Sequence, residues 1–305
     1  MELVNAPRIV CVGEGMLELA QAGGQWRLGH GGDTLNTAIH LARAGCNVAY
    51  LTALGADPFS ADMKRRWQDE GLDTSLVLTH PTRQPGLYAI STDAAGERSF
   101  TYWRDTSAAR DLFALHAVDR AMAECEWVDL FYFSLISLAI LPPDHRRHLI
   151  ELASLIQAHG GRVAFDGNYR PRLWAGAEEA REARDAAIAV ADIGLPTLAD
   201  EMALSREDSA ERVAAHWIGR GCSETVVKLG EEGCRLPDGT IVAPDKALKP
   251  VDTSGAGDAF NAGYLAARLG DATPEEAASA GHRLAGWTIM RPGAIPPRDE
   301  NYPLG

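Results

Sequence analysis

Cysteine is scarce and unpaired in this sequence. The five residues (Cys11, Cys46, Cys125, Cys222, Cys234) are odd in number, scattered and nowhere spaced as C-x-x-C, so neither a disulfide framework nor a cysteine-based zinc site is indicated, and buried thiols are the expectation. Long apolar runs are also missing. The stretch Leu130 to Pro142 is broken by Ser134 and Ser137 and ends in prolines, well short of the ~20 residues a membrane helix needs. Residues 1–8 lead straight into a strand-like Ile9–Val12 without a basic region and apolar core, so no secretion signal is expected and the chain reads as soluble and cytoplasmic, with no membrane partner. Positive charge is in deficit: 29 Lys and Arg stand against 42 Asp and Glu, a net charge of −13, which argues against a nucleic-acid partner. If an anion binds, specific local donors must hold it. Neither a Walker A sequence nor the G-x-G-x-x-G of dinucleotide sites occurs at the glycine-rich turns, which weakens P-loop and nicotinamide readings. There is no internal repeat, low-complexity tract or long linker, and the Pro-rich tail from Pro292 to Gly305 reads as a segment crossing the surface.

What is present is enough apolar content, 46% of 305 residues, for a substantial core in one large α/β domain or two smaller ones. Strand-like runs recur at Ile9–Val12, Val48–Leu54, Trp127–Phe133, Arg162–Phe165, Ala189–Leu195 and Glu224–Lys228. Between several lie Ala- and Leu-rich stretches of helical period, such as Leu35, Ala38, Ile39 and Ala42, or Leu149, Leu152, Ala153 and Ile156. This alternation predicts an α/β fold with a mostly parallel central sheet, helices on both faces, and ligands beyond the strands' carboxyl ends. One region departs from the pattern. Leu87–Thr92 and Ser99–Trp103 read as strands joined by a turn at Asp93–Glu97. Alternation places Tyr88 and Ile90 on one face of the first, and Phe100, Tyr102 and Arg104 on one face of the second. Aromatics and an arginine on a hairpin outside the main sheet suit a β lid over a polar ligand, although a surface hairpin packed on its own domain would look the same.

Four motifs carry candidate chemistry. Asp252-Thr253-Ser254-Gly255-Ala256-Gly257-Asp258 precedes a helix-compatible stretch, Asn261 to Leu269. Two glycines and an alanine before a helix let backbone N–H groups converge where the helix dipole favours negative charge, and an aspartate at that rim is placed to take a proton from an alcohol. An ordinary helix start capped by Asp reads the same residues. Gly29-His30-Gly31-Gly32-Asp33-Thr34-Leu35-Asn36 again sets glycines before a helix, with Asp33 and Asn36 suited to a polyol; capping alone also explains Asp33. Asp166-Gly167-Asn168-Tyr169-Arg170-Pro171-Arg172-Leu173-Trp174 follows a strand and offers groups suited to phosphate or carboxylate. Lys228-Leu229-Gly230-Glu231-Glu232-Gly233 also follows a strand, and its two glycines permit close approach to a nucleotide, but on spacing alone a plain turn into a hairpin around Pro237-Asp238-Gly239 is the better reading.

Together these residues resemble the ribokinase-like (PfkB) carbohydrate kinase family over nearly the whole chain. The family's second signature is matched from Asp252 to Gly263, and its first by Gly31, Gly32, Asn36, Ala38, Gly45 and Gly55, with Thr34 standing where a smaller residue is usual. The Gly31–Asn36, Tyr102–Arg104, Asp166–Trp174 and Leu195–Glu201 segments are most similar to the 2-keto-3-deoxygluconate kinases of that family. The resemblance implies a single ribokinase-like α/β domain over 1–305, with a lid from about 86–104 and part of 13–31. It implies transfer of the ATP γ-phosphoryl group to a sugar acid's 6-hydroxyl, with fructose or another neutral sugar as the alternative substrate and a non-catalytic ligand-binding regulator as a further one. Carried over by position, Asp258 is the base beside Gly255, Ala256 and Gly257. Gly32, Asp33, Thr34, Leu35, Asn36, Tyr88, Tyr102, Trp103, Arg104 and Arg170 line the sugar-acid site. Nucleotide falls to Asn168, Tyr169, Arg170, Lys228, Leu229, Gly230, Glu231, Glu232, Gly233, Gly255 to Asp258, His282 and Ala285. Asp200 or Glu201 stands on the magnesium side, Thr197 replacing an expected Asn. The resemblance further implies Mg2+, a monovalent cation and pairing into a homodimer or higher homo-oligomer. A neutral hexose needs no cation, whereas a carboxylate entering a net-acidic protein needs a paired guanidinium, which Arg104 or Arg170 supplies.

Overall fold

The computed structural model describes residues 7–22, 24–92 and 98–304. The Asp93–Glu97 turn and Gly305 lie outside them. Strand-helix alternation begins at β1 (Arg8–Val12), β2 (Met16–Ala22), β3 (Gln25–Gly31), α1 (Asp33–Arg43), β4 (Asn47–Leu54), α2 (Pro58–Asp69) and β5 (Val77–Thr79). It continues through β6 (Leu87–Thr92), β7 (Arg98–Trp103), α3 (Val118–Cys125), β8 (Leu130–Ser134), α4 (Leu135–Ile140), α5 (Pro143–Ala158) and β9 (Arg162–Asp166). The last third holds α6 (Ala177–Ile188), β10 (Ile193–Gly194), α7 (Leu198–Ser205), α8 (Ala210–Gly219), β11 (Glu224–Thr225), β12 (Val227–Lys228), β13 (Cys234–Arg235), β14 (Ile241–Val242), α9 (Ala256–Leu269) and α10 (Pro274–Ile289).

Seven strands form the central sheet in the order β11-β10-β9-β8-β1-β4-β5, each neighbouring pair parallel. Period-two alternation sends successive side chains to opposite faces. Val10, Val12, Ala49, Leu51, Phe131 and Phe133 pack with α3, α5, α6 and α8 on one side. Ile9, Cys11, Val48, Tyr50, Leu130 and Tyr132 pack with α1, α2, α9 and α10 on the other. Both faces are therefore covered, as an all-parallel sheet requires. The helical sets Leu35, Ala38, Ile39 and Leu149, Leu152, Ala153, Ile156 are buried in these two layers.

A second sheet, β3-β2-β6-β7, stands apart from the first. Its β2–β3 and β6–β7 pairs are antiparallel, β2 and β6 run parallel, and Tyr88 faces Tyr102 across β6–β7. The lid is thus four-stranded, with β2–β3 supplying half of it.

Some sequence expectations need correction. Trp127 lies outside β8 and is 73% exposed. Within Ala189–Leu195 only Ile193–Gly194 is strand: α6 ends at Ile188, Ala189 caps it, and the chain turns through Val190 and Ala191 before it enters the sheet. Glu224–Lys228 is split at Val226: β11 joins the central sheet, while β12 pairs antiparallel with β13. The hairpin around Asp238 forms, with Asp238 Oδ1 accepting from the Thr240 amide at 2.9 Å and Gly239 at φ 93°. The tail from Pro292 does not merely cross the surface. Arg43 Nη1 donates to Pro296 O at 2.8 Å, His40 stacks on Tyr302, and Trp287 Nε1 donates to Asp299 Oδ1 at 3.0 Å, docking the tail on α1 and α10.

Candidate active site

A cleft of about 1960 Å³ lies between the carboxyl ends of the central strands and the inner face of the lid. Its deepest chemistry centres on the start of α9. Gly255 caps the helix at φ 70°, and a β-carbon there would stand 2.5 Å from Ala294 Cβ, so both the backbone turn and the close approach require glycine. The amides of the first turn have no carbonyl within the helix to donate to, which makes this turn an anion site. Asp258 sits inside that first turn, not at the cap. Asn36 Nδ2 donates to its Oδ2 at 2.8 Å, and Thr37 Oγ1 donates to its backbone carbonyl at 3.2 Å, fixing the carboxylate over the cleft. Burial first, then the neighbouring Asp33 and Asp166 carboxylates, push Asp258 up to about 8; the Asn36 bond and Lys228 oppose them. A carboxyl titrating there is poised for proton transfer near neutral pH.

Around it, Asp33 Oδ2 accepts from Ser134 Oγ at 2.5 Å and Asn168 Nδ2 at 3.2 Å, and burial raises its titration above the ordinary carboxylate range. Lys228 Nζ donates to Asp166 Oδ1 and Asn261 Oδ1, both at 3.0 Å. Asn36 Oδ1 and Asn168 Oδ1 are buried acceptors that receive no hydrogen bond among the described residues. Both residues line the cleft, so a ligand rich in hydroxyl donors would satisfy them.

The lid contributes Tyr88, Ile90, Phe100, Tyr102 and Arg104, all lining the cleft as alternation requires. Tyr88 donates its hydroxyl to Glu18, and a β-carbon on Gly31 would stand 2.3 Å from the Tyr88 oxygen, so that glycine admits the tyrosine. Arg104 is buried and forms an ion pair with Glu14 through Nε, at 2.8 Å, and Nη2. On the opposite flank Arg170 is half exposed and reaches Asp200 at 3.4 Å. His282 and Ala285, with Pro244 to Leu248 and Met290, wall the far end.

Of the sequence-nominated residues, the cleft gathers Gly32, Asp33, Asn36, Tyr88, Tyr102, Arg104, Asn168, Arg170, Asp200, Lys228, Gly230, Glu231, Gly233, Gly255 to Asp258, His282 and Ala285. Others turn away. Thr34 is buried on Tyr50, and Leu35 enters the core, because one helical step from Asp33 rotates the side chain off the cleft. Trp103 alternates to the outer face of the lid and is 57% exposed. Tyr169 and Leu229 pack against the core, and Glu232 stays clear of the cleft. Glu201 is not a metal-side carboxylate: it is 1% exposed, held by Arg184 Nη1 at 2.6 Å and Trp217 Nε1 at 3.0 Å. Among the described residues no three His, Cys, Asp or Glu side chains gather as a metal cage. Asp200 remains on the cleft, so a magnesium ion fits only with oxygens brought by a ligand completing its shell. Sequence reasoning missed Glu14, Glu18 and Asn261 as site members, and named Asp166 only within its motif. Asn261 had a signal, since it lies three residues after Asp258 on one helix face.

Residues 6–301 match the pfkB family carbohydrate kinase. The 2-dehydro-3-deoxygluconokinase of Escherichia coli is 43% identical over 305 residues, covering 96% of this chain and 98% of that protein. The 2-dehydro-3-deoxygluconokinase of Dickeya dadantii is 42% identical over 304 residues, with 96% and 98% covered. Among solved structures, a fructokinase from Vibrio cholerae in a fructose, ADP and calcium ion bound form superposes with a TM-score of 0.82 at 25% identity, covering 95% of each chain.

Proposed function

Because the chain belongs to the pfkB family of carbohydrate kinases and is therefore a phosphotransferase, we propose that it transfers the γ-phosphoryl group of ATP to the 6-hydroxyl of 2-keto-3-deoxygluconate. The observation that carries this reading is the pairing of a base-like Asp258 at a helix N-terminus with arginines on both flanks of one cleft. Identity of 43% to a 2-dehydro-3-deoxygluconokinase against 25% to a fructokinase supports the sugar-acid reading over the neutral-sugar alternative.

In the proposed reaction the sugar acid lies under the lid, its carboxylate on Arg104 and its hydroxyls on Asn36, Asn168 and Asp33. Arg170 bridges substrate and γ-phosphate. The 6-hydroxyl oxygen attacks the γ-phosphorus, the bond to the β–γ bridging oxygen breaks, and the hydroxyl proton passes to Asp258 as ADP leaves. First-turn amides at Gly255 to Gly257 take up charge on the phosphoryl oxygens. Lid closure excludes water, which would otherwise compete as acceptor. Nucleotide lies along Lys228 to Gly233 towards His282 and Ala285; Asp200 is the carboxylate that would stand on the magnesium side, and the ion would supply neutralising charge. A monovalent cation is the further ion the resemblance implies; activity in potassium against choline chloride reads it. Trp26, Leu28 and Trp103, exposed on the lid, are the proposed face for pairing with a second copy, which sedimentation checks. A coupled ADP-release assay over 2-keto-3-deoxygluconate, its galactonate epimer, fructose and ribose tests the proposal: turnover of a sugar acid supports it, and turnover of fructose or ribose alone replaces it.

A further inference from the structure

Lys228 is oddly placed for a structural lysine. It is 8% exposed, and lysines are rarely buried without a partner. Its partner Asp166 accepts at 3.0 Å, and Asn261 Oδ1 accepts at the same distance from the other side. Asn261 is itself fixed. Its Nδ2 donates to Asp166 Oδ2 at 2.9 Å and to Tyr132 Oη at 3.0 Å, so its carbonyl must face the ammonium. The clamp engages two of the three N–H groups an ammonium carries; the third makes no hydrogen bond among the described residues, and Lys228 lines the cleft.

Direction matters more than burial. A β-carbon built on Gly257 would lie 3.7 Å from Lys228 Nζ, so the ammonium stands against the first turn of α9. That is the positive end of a helix, where a cation is unfavourable and a lysine serving stability alone is out of place. Two positive features brought together in a cleft are complementary to an anion between them.

We propose that Lys228 is a further catalytic residue: its free N–H binds an oxygen of the phosphoryl group in transfer, opposite the α9 amides, with Asp166 and Asn261 holding the ammonium in place. This rests on the kinase reading above. The same ammonium also acts on the base. Asp258 faces Asp33 from α1, Asp166 from β9, Lys228 from β12, and the hydroxyls of Tyr88 from β6 and Tyr132 from β8. Lys228 is the cation in that set that favours ionised Asp258. Removing it moves the acid limb of activity to higher pH.

The test is steady-state kinetics of Lys228→Met and Lys228→Gln from pH 6 to 10, on whichever sugar the unsubstituted protein phosphorylates. Loss of one donor to a transition-state oxyanion predicts kcat lower by ~10²–10³-fold. The sugar's KM should stay within about threefold, and the acid limb of kcat/KM should rise in pH, because that limb reports the free protein's base. Glutamine keeps a donor for Asp166 and carries the comparison if the methionine variant does not fold. A kcat within threefold of the unsubstituted protein, or a loss with an unmoved limb and a raised KM, overturns the proposal and leaves Lys228 a structural residue. Failure of the unsubstituted protein on every sugar acid sinks the kinase substrate reading instead, and is seen before any variant is made.

Discussion

Replacing Asp258 with asparagine should stabilise the folded protein at alkaline pH while removing its turnover. The native carboxyl titrates at about 8, against an ordinary value of 3.8, chiefly because it is buried and secondly because Asp33 lies near. A folded value above the unfolded one means that the native state keeps a proton which the unfolded chain has released. Stability therefore falls as pH rises from about 4 to about 8 and levels off beyond. Four units correspond to an upper limit of ~6 kcal/mol. Relaxation and water in the open cleft reduce this, and a net gain of ~1–3 kcal/mol at pH 9, or a few degrees in Tm, is expected for the variant. The new amide oxygen can still accept from Asn36 Nδ2, so the native contact survives. Calorimetric unfolding at pH 4.5 and pH 9 without ligands reads the effect. The variant should match the unsubstituted protein at pH 4.5 and exceed it at pH 9, with kcat down ~10²–10⁴-fold. An equal difference at both pH values would refute the burial argument, and near-complete turnover would refute the base.

Arg104→Ala should raise KM for the sugar acid about 10–100-fold by removing a charge-assisted contact, measured by initial rates with a thermal melt alongside because Glu14 loses its partner. An unchanged KM would move the carboxylate to Arg170. Glu201→Gln should cost about 3–5 kcal/mol of stability by weakening the buried pair with Arg184, with magnesium activation unaltered. A shifted magnesium dependence would return Glu201 to the metal side. Gly255→Ala meets both a left-handed backbone and Ala294, so it should lose more than about 1 kcal/mol in denaturant unfolding and lower kcat as the first turn of α9 shifts.

The fold was legible wherever periodicity and breakers agreed. Ile9–Val12 and Arg162–Phe165 are β-rich runs before helical patterns, and both became central strands. Ala189–Leu195 misled because its first residues, though apolar, form the turn that closes α6 after Ile188, which leaves only Ile193–Gly194 to the sheet. Site residues at the glycine-rich turns were legible because glycine there has a physical reason: Gly31 admits Tyr88, and Gly255 admits Ala294. The failures fell within motifs. Thr34, Leu35, Tyr169 and Glu201 neighbour site residues in sequence, but one step along a helix or loop turns a side chain from cleft to core. Glu14 was missed because its partner Arg104 lies 90 residues away, and a long-range ion pair leaves no local pattern. Arg104 is a case in point: the sequence offers it as a guanidinium for a substrate carboxylate, and the fold also pairs it with Glu14.

The central claim is that one cleft phosphorylates a sugar acid with Asp258 as base. Coupled ADP release from the unsubstituted protein and Asp258→Asn, each with ATP and 2-keto-3-deoxygluconate beside fructose, tests it most directly. The account predicts ADP release with the acid well above that with fructose, lost in the variant. Equal or greater turnover of fructose, or a variant as active as the unsubstituted protein, would contradict it.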